Sequence, residues 1–237
     1  MTKTFLFLDF DGTLSPIVEN PEAAFIPDKV MRWLERLSCN KSLKVAVVTG
    51  RSLKDIMKRV GLKDLIYAAN HGMEVYHRRK FLLRKGGMYK IPLKRLEKEL
   101  MRNLSAIPGV YVENKGLSLA IHLRRVRKRY HAKVKRIVNI AVEPWFRRYK
   151  LRLTGGKMLL EVRPLFWNKG KAVLWMWKRL APKYLPVYIG DDVTDEDAFS
   201  ALRPYGITIR IGGKKASHAQ YRISSISRLM DSTVLDQ

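Results

Sequence analysis

Short apolar runs that stop at acidic, glycine-bearing turns constrain this chain more than any other feature. Phe5-Leu6-Phe7-Leu8 runs into Asp9-Phe10-Asp11-Gly12-Thr13, and Leu43-Lys44-Val45-Ala46-Val47-Val48 runs into Thr49-Gly50. Leu65-Ile66-Tyr67-Ala68-Ala69 repeats the pattern, as do Val187-Tyr188-Ile189 before Gly190-Asp191-Asp192 and the final run Thr208-Ile209-Arg210-Ile211. Apolar runs this short, cut off by turn residues, read as strands buried on both faces. Helical spacing fills the gaps: Val30, Trp33, Leu34 and Leu37 share a face over 27–37, and Ser52 can cap a helix reaching Val60. Two more helices are expected over 170–180 and 196–202. Strands alternating with helices predict a parallel, Rossmann-like α/β sheet.

The middle of the chain has a different grammar. Two runs, 110–113 and 117–122, flank Asn114-Lys115-Gly116, a hairpin signal. Helices are expected over 92–104 and 126–142, and two further strands over 151–162. This predicts an α+β cap domain inserted into an α/β core, with the core over 1–80 and 164–237 and the cap over 81–163. Charge marks the same division. The chain carries a formal net charge of +26, and between residues 78 and 160 there are 24 Lys and Arg against four acids. So steep a charge boundary points to two units with different surfaces.

Composition narrows the classes further. Hydrophobic residues at 46% and charged residues at 29% exclude a disordered chain. One cysteine, Cys39, excludes an internal disulfide framework and fits a reducing compartment. The first apolar run ends at Asp9, too short for a signal-peptide core, and no run has the length of a membrane helix. A cytoplasmic protein without membrane insertion is expected.

Four polar pieces fall at expected strand or helix ends, where open α/β sheets build their sites: Asp9 to Thr13, Thr49-Gly50-Arg51, Asn168-Lys169-Gly170, and Gly190 to Asp195. Asp9, Asp11, Asp191 and Asp192 would crowd carboxylates that repel one another unless a cation sits among them. Hard oxygen ligands suit Mg²⁺. One carboxylate can attack phosphorus and form an aspartyl-phosphate, and a second, two residues on, can protonate the leaving alcohol and then activate water. Thr49 and Lys169 can hold the phosphoryl oxygens.

With these residues the chain resembles the haloacid dehalogenase (HAD) superfamily, whose first motif Asp9-Phe10-Asp11-Gly12-Thr13 matches closely. The second acid at Asp11 is the pattern of its phosphatases and mutases. More finely, the chain resembles the trehalose-6-phosphate phosphatases over almost its whole length. Val48-Thr49-Gly50-Arg51-Ser52, Asn70-His71-Gly72-Met73-Glu74, Val112-Glu113-Asn114-Lys115-Gly116 with His122, and Gly190-Asp191-Asp192-Val193-Thr194-Asp195-Glu196 match that family's motifs. Gly156-Lys157 followed by Glu161-Val162-Arg163-Pro164 is the most family-specific stretch.

The resemblance implies a nucleophile at Asp9 and an acid/base at Asp11. It implies Mg²⁺ held by Asp9, Asp191 and the Asp11 carbonyl, with Asp192 and Asp195 in support. Gly50, Arg51, His71 and Gly72 in the core, and Glu113, Lys115, Lys157 and Glu161 in the cap, are the expected substrate-binding residues. The implied substrate is a small-molecule sugar phosphate, trehalose 6-phosphate, with sucrose phosphate or glucosylglycerate phosphate as alternatives. The basic cap suggests a further role in gripping an acidic partner, such as trehalose-6-phosphate synthase, or polyanions. Sparse aromatic residues in its basic runs make nucleic acid a non-specific ligand at most.

Overall fold

The computed structural model describes residues 2–18, 21–156, 158–213 and 216–230. The chain forms two compact units, one from Met1–Arg84 with Trp167–Gln237 and the other from Lys85–Phe166. In chain order, the first unit opens with β1 (Thr4–Asp9), α1 (Asp28–Cys39), β2 (Leu43–Val48), α2 (Leu53–Val60), β3 (Ile66–Ala69), β4 (Glu74–His77) and β5 (Lys80–Arg84). The second unit comprises α3 (Lys90–Leu104), β6 (Tyr111–Asn114), β7 (Leu119–His122), α4 (His131–Tyr149), β8 (Leu151–Gly156) and β9 (Leu159–Pro164). The first unit then resumes with α5 (Lys169–Leu180), β10 (Leu185–Gly190), α6 (Glu196–Leu202), β11 (Ile207–Ile211), β12 (Tyr221–Ile223) and α7 (Ile226–Met230).

The first unit is an eight-stranded sheet in the order β12-β11-β10-β1-β2-β3-β4-β5. Strands β12 through β3 run parallel, and β4 and β5 are antiparallel additions. Strand β1 lies among them, buried along its whole length. Its side chains alternate with period two: Leu6 and Leu8 enter the core shared with α1 and α2, while Phe5 and Phe7 enter the core shared with α5 and α6. The Phe5 and Phe7 rings stack with centroids 4.2 Å apart. On α1 the stripe Val30, Trp33, Leu34 and Leu37 is buried, each such side chain contributing about 1.5–3 kcal/mol over exposure. Leu8 lies opposite Ile189 of β10 and Val47 of β2, so three strand ends reach one edge of the sheet together. That edge carries the site.

The hairpin β4–β5 was not expected from the sequence. Its two-residue turn is Arg78-Arg79, both at positive φ (45° and 66°), where hairpins ordinarily carry Asn or Gly. The turn therefore lacked its usual signature. The expected boundary after residue 80 falls at the first residue of β5, and the second unit begins after Arg84 and ends at Phe166.

The second unit is a four-stranded antiparallel sheet, β6-β7-β9-β8, with α3 and α4 sharing its core. Leu119, Ile121, Leu160 and Val162 point to the helices, while Glu113, Ala120, Glu161 and Thr154 lie in register across the four strands, on the opposite face. Helix α4 starts later than expected and continues past Pro144 to Tyr149. Proline removes one backbone donor, but Trp145, Phe146 and Tyr149 beyond it pack against the core of this unit, and that packing carries the helix through. Among the described residues, no helix is long and apolar enough to cross a membrane.

Candidate active site

The β1 strand delivers Asp9, only 3% exposed, to the sheet edge. The chain then turns back on itself, with Gly12 N–H donating to the Ser15 carbonyl at 2.7 Å and Ser15 N–H to the Phe10 carbonyl at 2.9 Å. Gly12 holds φ at +89°, and a Cβ there would sit 2.2 Å from the Asp191 carboxylate. The position admits only glycine, because the aspartate after β10 lies directly against its Cα.

Lys169 opens α5, capped by Asn168 Oδ1, which accepts from Lys171 N–H at 2.9 Å. Its Nζ reaches Asp9 Oδ1 at 2.6 Å and Asp195 Oδ1 at 2.7 Å, and all three side chains are buried. Burial pushes the Lys169 ammonium down, but the charges of Asp195 and Asp9 outweigh it and raise it above its ordinary value. Lys169 is a permanent cation in this setting. Tyr188, buried on β10, donates to the same Asp195 oxygen at 2.6 Å. Asp195 Oδ2 accepts from the backbone N–H groups of Asp191 and Asp192 at 3.0 and 2.9 Å. The Asp192 side chain in turn accepts from the Asp195 backbone N–H, closing a capping box. The Asp191 carbonyl is anchored by Arg210 Nη2 at 2.8 Å, and Arg210 is itself paired with Glu196.

Carboxylate oxygens of Asp9, Asp191 and Asp195 lie within 4.8 Å of one another. Burial, with the charges of Asp195 and Asp191, pushes the Asp9 carboxyl well up, against the opposing pull of Lys169. A hard divalent cation among these oxygens would offset that penalty, and an all-carboxylate donor set fits Mg²⁺. Asp195 already accepts four hydrogen bonds, so Asp9 and Asp191 are the pair suited to face such a cation while Asp195 fixes the loop.

At the ends of β2 and β3, Thr49 N–H donates to the Ala68 carbonyl at 2.9 Å and His71 N–H to the Thr49 carbonyl at 2.8 Å. Thr49 Oγ1 accepts from Arg51 N–H at 3.1 Å. Asn70, His71 and Gly72 all hold positive φ (50°, 57° and 81°), a tight left-handed run that seats the buried His71 ring on Gly50. A Cβ on Gly50 would come within 2.7 Å of that ring. Three successive left-handed residues, two of them not glycine, are a strained backbone of the kind found at functional sites.

Arg51 reaches both oxygens of Asp11, through Nε at 2.8 Å and Nη2 at 2.6 Å, and gives Nη1 to Asp55 at 2.7 Å. Arg59 holds Asp55 from the next turn of α2 at 2.9 Å. The guanidinium of Arg51 also stacks 5.1 Å from the Phe10 ring centroid.

In the second unit, Glu161 on β9 is 6% exposed, and its Oε1 accepts from Ser118 Oγ at 3.1 Å and Lys115 Nζ at 3.4 Å. Glu113 pairs with His122 at 2.9 Å. Lys157 lies outside the described residues. Tyr188, Asp55, Glu196 and Arg210 were missed in the sequence. Arg210 carried a usable signal, a cation within an apolar strand, since buried charges are nearly always paired. Asp55 carried another, an acid four residues after Arg51 at a helix start.

A largely parallel sheet with an aspartate at the end of its first strand, a lysine at a helix start, acids after a later strand, and an α+β unit inserted in the chain is the HAD fold. The fold is similar to that of a HAD subclass IIB sugar phosphatase (TM-score 0.64, 16% identity, 98% of each chain covered). It is similar also to the C-terminal domain of trehalose-6-phosphate phosphatase from C. albicans (TM-score 0.83, 24% identity, 99% of this chain and 92% of that one). Residues 7–227 match the trehalose-phosphatase family, and the chain belongs to it. Trehalose-phosphate phosphatase from Mycobacterium tuberculosis is 35% identical over 244 residues, which is 96% of this chain. The chain spans about 60% of the length of that relative.

Proposed function

We propose that this chain is a Mg²⁺-dependent phosphatase that hydrolyses trehalose 6-phosphate to trehalose and phosphate. The observation that carries this reading is the buried Lys169 bridging Asp9 and Asp195, with Asp11 gripped two residues beyond the nucleophile position. An Asp9 oxygen attacks phosphorus; the new O–P bond forms as the bond from phosphorus to the sugar oxygen breaks, and Asp11 gives that oxygen its proton. Water then attacks the aspartyl-phosphate, Asp11 takes the water proton, and the bond from phosphorus to Asp9 breaks to release phosphate. Lys169 and Thr49 steady the phosphoryl oxygens as their charge develops. Asp9, Asp191 and the Asp11 carbonyl would hold Mg²⁺, which would supply positive charge against the phosphate dianion. Gly50, Arg51, His71 and Gly72 line the phosphate side of this reading, and Glu113, Lys115, Lys157 and Glu161 recognise the sugar. A disaccharide needs charged groups against its hydroxyls, and the cluster of buried Glu161 and Ser118 with half-buried Lys115 is a set of that kind. The cytoplasm suits a chain whose single cysteine, Cys39, is free and exposed.

A panel of phosphorylated sugars tests the substrate, with phosphate release as the readout. Trehalose 6-phosphate should exceed sucrose phosphate and glucosylglycerate phosphate by roughly 100-fold or more in kcat/KM, because unmatched hydroxyls leave buried polar groups unpaired. A higher kcat/KM on either rival would replace trehalose with that sugar.

A further inference from the structure

The second unit carries far more positive charge than one phosphate monoester requires, and the structure shows where it goes. On α3, Lys94, Arg95, Lys98 and Arg102 are exposed and spaced along one side of the helix. On α4, Lys133, Arg136 and Arg147 form a similar exposed row. The acids of α3 do not dilute this charge. Glu97 is half-buried and accepts from Asn114 Nδ2 at 2.8 Å, and Glu99 is half-buried and accepts from Trp145 Nε1 at 3.2 Å. Of the acids on the two helices, only Glu143 is exposed. Set among the cations are three large apolar side chains left in solvent: Ile91 at 67%, Ile140 at 63% and Met101 at 56% exposed. The two helices pack against each other and bury their apolar stripes in one core, which leaves both rows on the outside of the unit.

We propose that the outer faces of α3 and α4 form a docking surface for an anionic lipid bilayer. Lysine and arginine heads meet the anionic headgroups, and Ile91, Ile140 and Met101 enter the acyl boundary between them. The apolar side chains distinguish this partner from a nucleic acid. They gain nothing from a phosphate backbone, and α3 has no aromatic ring for base stacking while those of α4, Trp145, Phe146 and Tyr149, are half-buried against the core. The association is peripheral: the apolar faces of both helices are already committed to the interior of the unit.

The test is co-sedimentation of the full chain with vesicles of phosphatidylcholine alone or mixed with phosphatidylglycerol, alongside retention on heparin. The protein should bind the mixed vesicles and not the neutral ones, and binding should weaken as salt screens the charge. A variant carrying Lys94→Glu, Lys98→Glu and Arg136→Glu should lose about tenfold or more in vesicle binding. A variant carrying Ile91→Ser and Ile140→Ser should lose several-fold on vesicles while keeping its heparin retention. Both should melt at the wild-type temperature, since every altered side chain is exposed. Absence of binding to mixed vesicles overturns the proposal. So does an isoleucine variant that binds vesicles as well as wild type, which would make the surface a general polyanion binder.

Discussion

Arg51 grips both carboxylate oxygens of Asp11, at 2.8 and 2.6 Å, and its remaining donor edge is held by Asp55 at 2.7 Å. A bidentate fork of this kind fixes the plane of the carboxylate as well as its position. The Asp11 carboxylate is therefore braced from α2, through an arginine that the sequence suggested as a substrate ligand. Arg51→Lys keeps the charge and loses the fork. If bracing is its role, kcat should fall about tenfold or more with KM little changed; a rise in KM alone would return Arg51 to substrate binding. Steady-state kinetics on trehalose 6-phosphate separates the two.

Asp9→Asn should reduce turnover by several orders of magnitude while the protein stays folded. An amide cannot form the acyl-phosphate. Folding should survive because Lys169 retains Asp195 at 2.7 Å. Phosphate release and a thermal melt are the measurements, and a rate above a tenth of wild type would remove Asp9 from the nucleophile role.

Chelation should stop phosphate release, and Mg²⁺ should restore it. A second readout needs no turnover. Mg²⁺ should raise the melting temperature of the chelated protein, because an ion that binds the folded state relieves the crowding of Asp9 and Asp191. Asp191→Asn should shrink that rise. A melting temperature indifferent to Mg²⁺ would count against the carboxylate cluster as its site.

Glu161→Ala should impair trehalose 6-phosphate far more than p-nitrophenyl phosphate. The small ester has no sugar hydroxyls to lose contact with, so a binding role predicts a substrate-dependent loss. Equal losses on both substrates would mean that the Glu161–Ser118–Lys115 cluster serves the second unit's folding instead.

Burial pushes the Asp55 carboxyl up, but hydrogen bonds and charge from Arg59 and Arg51 outweigh it and hold it below the ordinary 3.8. A carboxyl depressed on folding stabilises the native state above its unfolded value, and that stability is lost as the pH falls through the folded value. Asp55→Asn should therefore lower the urea midpoint at neutral pH, and the gap from wild type should close below about pH 3.8. A gap that stays constant down to acid pH would assign the loss to packing.

The amino-acid sequence by itself determined the alternation of strands and helices, the Ser52 cap, the apolar stripe of α1 and the polar residues at the strand ends. Each is written within a few neighbouring residues as a period of two or 3.6, or as a cap. Local code also misled: Pro144 reads as a helix stop, and Arg78-Arg79 does not read as a hairpin turn. Tertiary packing of Trp145, Phe146 and Tyr149 overrides the first, and pairing of β4 with β3 and β5 overrides the second. Partner choice at the site belongs wholly to the tertiary structure. Lys169 and Asp9 stand 160 positions apart, and nothing local to either names the other. The register of β1 between β10 and β2 brings the strand ends to one edge, and only there do burial and low dielectric make each carboxylate take a specific cation or donor: Asp9 and Asp195 take Lys169, Asp11 takes Arg51, and Asp195 also takes Tyr188.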